Sequence, residues 1–108
     1  MIIETVECSV KDGYSTILQR LLESRRVLRN STRGCLASWV AKGLDNQTYL
    51  IQSVFSDEKS CIASHKKIQA KLDPKDGGLE SVLSGPPLVG IFEIEADDWP
   101  FELNQVQR

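Results

Sequence analysis

"RGCLASWVAKGLDNQTYLIQSVFSDEKSCIASHKK", residues 33–67, carries two alternating apolar runs and then abandons that period. The runs Cys35–Leu44 and Thr48–Phe55 are rich in β-branched and aromatic side chains, which predicts two strands. Between them stands Asp45-Asn46, a pair suited to the tight backbone of a turn, so the strands form a hairpin. From Ser56 onward Cys61, Ile68 and Leu72 recur at helical spacing instead. Ser56 is the expected N-cap, followed by Asp57 and Glu58 where the helix dipole favours negative charge. Lys66, Lys67 and Lys71 fall toward the other end, and Pro74 with Gly77-Gly78 stops the helix.

Outward from this ββα centre, Ile2 to Val10 alternates with Val6, Cys8 and Val10 on one side, which reads as a strand. "KDGYS" turns the chain, and Tyr14 to Asn30 repeats Ile17, Leu18, Leu21, Leu22 and Leu28 as an amphipathic helix. After residue 78, "LESVL" makes one further turn, "SGPP" stops it, and "LVGIFEIE" is the last strand. The order β-α-β-β-α-β predicts an α+β, ferredoxin-like fold with a four-stranded antiparallel sheet. Strict alternation puts Cys35, Ala37, Trp39 and Ala41 on one face of the second strand and Leu36 and Val40 on the other. On the third strand, Tyr49, Ile51 and Phe55 oppose Leu50 and Val54. Two helices cover only one face of such a sheet. Burying the other is worth about 25 cal/mol per Å², so a homodimer is expected, with Leu36, Val40, Leu50 and Val54 against a partner sheet.

The 108 residues make one domain, taken as 1–95, with an acidic tail at 96–108 that could pack on the partner subunit. A net charge of -2, with Arg25, Arg26, Arg29 and Arg33 diluted by acids, argues against nucleic acid. No apolar run is long enough for a bilayer, and Ile2 follows the first residue with no basic leader, so the expected place is the cytoplasm. Cys8, Cys35 and Cys61 are odd in number and lack paired spacing, which predicts buried reduced thiols rather than disulfides or a zinc site.

The opening stretch also resembles the central segment of the antibiotic biosynthesis monooxygenase (ABM) domain family. The likeness is carried by Arg33-Gly34-Cys35, the Asp45-Asn46 turn, Phe55 at a strand end, Ser56 to Glu58, and Ala63-Ser64-His65 within the helix. "KDGYSTILQRLL" and "SGPPLVGIFEI" match in kind, so the likeness spans residues 1–95. The resemblance implies a dimeric α/β barrel with a pocket between each subunit's helices and its sheet. It also implies cofactor-free oxidation of phenols or quinols. Haem-degrading relatives carry an asparagine on the first strand, and this chain has none there. Aromatic-polyketide oxidisers end the third strand in tryptophan, with asparagine four residues earlier; here those positions hold Phe55 and Ile51. A strand-two histidine of some relatives maps to Ala41.

The single histidine, His65, shares a helix face with Cys61, Ile68 and Leu72 at roughly 100° per residue, so it points at the sheet. It is either a core histidine bonded to a backbone carbonyl or a base for an acidic phenol, a task that suits an imidazole as a type of side chain. Arg25 lies on the apolar arc of the first helix. It either snorkels into water or stabilises a phenolate or superoxide-like anion. Trp39, Tyr49 and Phe55 are core residues, a flat slot for a planar ring, or both. The site expected from the resemblance is therefore His65 as catalyst, with Arg25, Trp39, Tyr49, Ile51, Phe55 and Cys61 around an aromatic or apolar ligand, and no metal or cofactor. The alternative function is a non-catalytic homodimer that binds a small ligand or serves in assembly.

Overall fold

Alternation along β1 (Ile2–Ser9) sends Ile2, Glu4, Val6 and Cys8 to one side of the sheet. That side faces the helices. The computed structural model describes residues 1–99 and has the expected order: β1, α1 (Ser15–Asn30), β2 (Cys35–Lys42), β3 (Thr48–Phe55), α2 (Glu58–Lys71) and β4 (Leu88–Glu93). A short helix α3 (Asp73–Asp76) and 3-10 turns at Glu80–Val82 and Ala96–Asp98 complete it. The four strands form one antiparallel sheet in the order β2-β3-β1-β4. The fold is α+β and ferredoxin-like. The tail beyond residue 99 lies outside the described residues.

The β2–β3 turn uses the expected pair. Asp45 accepts from the backbone N–H groups of Gln47 and Thr48 at 3.0 and 2.9 Å, and Asn46 takes the left-handed φ of 61°. The α2 cap differs by one residue. Asp57, not Ser56, is the N-cap: its carboxylate accepts from Ser60 N at 2.8 Å, while Ser56 N donates to Gly34 O.

Two apolar clusters fill the space between helices and sheet. Leu18 and Leu22 of α1 pack with Cys8, Tyr49 and Ile51 in one; Ile2, Cys35, Phe55 and Cys61 form the other. Along β1, Glu4 separates Ile2 of the second cluster from Val6 and Cys8 beside the first. On α1, Arg25 and Arg29 continue the buried face that Leu18 and Leu22 begin. A polar layer thus interrupts the core.

One expectation fails on β2. A β-bulge between Cys35 and Ala37 shifts the register, so Ala37, Trp39 and Ala41 pair with Val54, Gln52 and Leu50. Ser38, Val40 and Lys42 pair with Ser53, Ile51 and Tyr49 on the helix side. Trp39 therefore stands on the face away from the helices, where its indole N–H donates to Gln52 Oε1 at 3.0 Å. Val40 moves the other way and packs against the first cluster. On the face without helices, Val54 is buried, while Leu88 and Phe92 of the edge strand β4 are 69% and 60% exposed.

Candidate active site

Glu4 is only 2% exposed, and a carboxylate that deep needs a partner. Its partner is His65 on α2, whose Nε2 meets Glu4 Oε2. With Nε2–H donating to the carboxylate, Nδ1 is left as the acceptor, and among the described residues no hydrogen bond occupies it. The His65 side chain is 39% exposed, so the pair has a buried anionic end and a wet imidazole end. The core-histidine alternative, with a backbone carbonyl as partner, does not describe this residue.

Cys61 sits one turn earlier on α2, its Sγ 3.9 Å from His65 Nε2 and 4.0 Å from Glu4 Oε2. Burial, reinforced by the Glu4 charge, pushes its thiol up to about 11, so it is a neutral thiol at neutral pH. Glu4, Cys61 and His65 present three potential metal-ligand atoms within 4.8 Å of one another. Against a cation there stand the high thiol pKa and the buried positive charge of Arg29, which Glu4 and Cys61 both feel.

Arg25 and Arg29 follow one another on the buried face of α1 but have opposite fates. Arg25 donates to Asp73 at 2.6 Å, to both oxygens of Asp76 at 3.0 Å, and to Leu21 O at 3.1 Å. Its head is neither in water nor free for an anion; it ties α1 to α3. That hydrogen bonding holds the Asp76 carboxyl below the usual carboxylate range. Arg29 is 7% exposed, and its Nε and Nη1 have no partner. Burial pushes its pKa down, and the nearby Glu4 charge partly offsets this.

A cavity of about 490 Å³ opens beside the pair, between the α2–α3 region and the β1–β4 side of the sheet. Glu4, Val6 and Val89 line its sheet side, His65 and Ile68 its α2 side, and Arg25 and Arg29 its α1 side. Gly77 and Gly78, both at positive φ, line it at the turn leaving α3. A larger open groove of about 1140 Å³ runs past Gly34, Cys35, Asp57 and Ser60, but it includes neither Glu4 nor His65.

Of the residues singled out from sequence, His65 and Arg25 line the cavity and Cys61 touches His65. Phe55 is fully buried beside Cys61 in the second cluster. Tyr49 and Ile51 belong to the first cluster, and the Tyr49 hydroxyl bonds Ser15 and Gln19 at 2.6 and 2.9 Å. Trp39 is on the opposite face, so it forms no slot with Tyr49 and Phe55. Glu4 and Arg29 were not predicted. Glu4 was within reach, since counting back two residues from Val6 and again to Ile2 puts it on the core side.

Neither a protein-family model nor a curated protein matches the sequence. Solved structures do match the fold. A protein of Nitrosomonas europaea assigned as an antibiotic biosynthesis monooxygenase superposes with a TM-score of 0.76 at 12% identity, over 86% of this chain and 97% of that one. A variant of SnoaB, a cofactor-independent oxygenase of Streptomyces nogalater, gives 0.73 at 13% identity over 86% and 91%. A second Nitrosomonas europaea protein, of unknown function, gives 0.71 at 24% identity over 94% and 95%. No helix among the described residues is long and apolar enough to cross a membrane. This chain shares the ferredoxin-like fold of solved antibiotic biosynthesis monooxygenase structures.

Proposed function

We propose that the chain is one subunit of a homodimeric, cofactor-independent oxygenase of the cytoplasm, acting on an electron-rich aromatic such as a phenol or quinol. The observation that carries this reading is a buried carboxylate holding a half-exposed imidazole at the wall of a cavity. Glu4 fixes the ring's orientation and tautomer and stabilises the imidazolium that forms when Nδ1 takes the phenolic proton. The resulting phenolate gives one electron to dioxygen, and the radical pair recombines at a ring carbon. Loss of water from that peroxide leaves a carbonyl. For a simple phenol the balance is phenol plus O₂ to quinone plus water: one oxygen atom enters the ring, the other leaves as water, and the substrate supplies all four electrons. Cytoplasmic placement is supported by the buried thiols of Cys8 and Cys61, and dimerisation by the exposed apolar residues of β4.

Oxygen uptake by the purified protein with a panel of phenols and quinols tests the proposal. Wild type should consume oxygen with at least one of them, and His65→Ala should lower the rate by roughly 10²- to 10⁴-fold. Equal, slow uptake by both proteins contradicts it. Tight binding of a phenol without oxygen consumption would instead mark a ligand-binding module.

A further inference from the structure

The polar layer does not satisfy all of its own hydrogen-bond donors. Arg25 is saturated by Asp73 and Asp76, and Glu4 is engaged by His65. Arg29 remains, 93% withdrawn from solvent, with Nε and Nη1 unpartnered and no carboxylate of the described residues within ion-pair distance. A guanidinium held this way is costly to the fold unless something arrives to meet it. It belongs to the wall of the cavity that also carries His65.

We infer that Arg29 is a recognition site for a carboxylate, and that the cavity takes an aromatic ligand bearing both a hydroxyl and a carboxylate group. The inference rests on the cavity being the ligand site, as proposed above, but not on the oxygen chemistry. A phenol hydroxyl offers the guanidinium only one oxygen, and that oxygen is already engaged by proton transfer to His65. A carboxylate offers two coplanar acceptors, the arrangement that a guanidinium's N–H groups pair with. A single charge fits better than a double one, since Glu4, Asp73 and Glu80 already bring negative charge to the wall. Val6, Ile68, Leu79 and Val89 supply apolar surface for the ring.

Equilibrium binding of 4-hydroxybenzoate and of its methyl ester, which keeps the phenol and removes the charge, decides the matter. Wild type should bind the acid about 10-fold or more tighter than the ester. Arg29→Met should erase that preference, Arg29→Lys should keep part of it, and His65→Ala should keep it whole. Persistence in His65→Ala separates this inference from the catalytic proposal, which that variant disables. No preference for the acid in wild type, or an undiminished one in Arg29→Met, overturns the inference. The wild-type comparison stands even if no variant folds.

Discussion

Glu4 shows how one residue converts a structural position into a chemical one. On a strand whose other core-facing residues are Ile2, Val6 and Cys8, a carboxylate is out of place unless paired. Pairing gives His65 a fixed orientation and an anionic counterpart. Replacing Glu4 with Gln keeps the shape and removes the charge, so oxygen uptake should fall by roughly 100-fold while phenol binding changes little. Steady-state kinetics check this through a drop in kcat at nearly constant KM. The inward direction of His65 was legible from helical spacing, whereas its partner was not. Pattern reading treats an acid between apolar residues as a surface residue, and only the buried parity of the flanking positions corrects that. Arg25 was misread for a related reason: its partners are 48 and 51 residues away, beyond any local signal.

At the scale of elements, all four strands and both long helices were legible, because their apolar periods differ and turn residues separate them. The β2 bulge was not. Cys35, Ala37, Trp39 and Ala41 are apolar or small, and so are Leu36 and Val40, so either parity satisfies the pattern and only pairing with β3 decides. The Arg33-Gly34-Cys35 motif gains a physical meaning here. Gly34 sits at φ 89°, and a Cβ there would stand 2.5 Å from Ser60 Cβ at the start of α2. Gly34→Ala should therefore cost about 2–4 kcal/mol, read as a lower denaturant midpoint at unchanged slope. The α1–α3 clamp should carry a pH signature. Asp76 titrates below its unfolded value of 3.8, so its contribution is complete above that value and is lost as pH falls through the lower folded one. Asp76→Asn should leave a protein less stable at neutral pH but with a flatter acid limb, measured by thermal melts across pH.

The whole molecule leaves the far face of its sheet without helices, and there the edge strand β4 exposes Leu88 and Phe92 by half or more. That area is what a second copy would bury. Sedimentation of the wild type should show a dimer at low micromolar concentration, and Leu50→Asp, placing a charge on that face, should be unfolded or insoluble. A compact, soluble wild-type monomer would contradict the dimer. The central claim, however, concerns the cavity: that Glu4 and His65 together take a phenol's proton. The ionisation state of a bound chromophoric nitrophenol reads this directly by absorbance, at a pH just below the free phenol's own pKa. Wild type should hold the phenolate under conditions where the free compound is mostly protonated, and His65→Ala should bind the neutral phenol. Identical ionisation of free and bound phenol in the wild type would contradict the account.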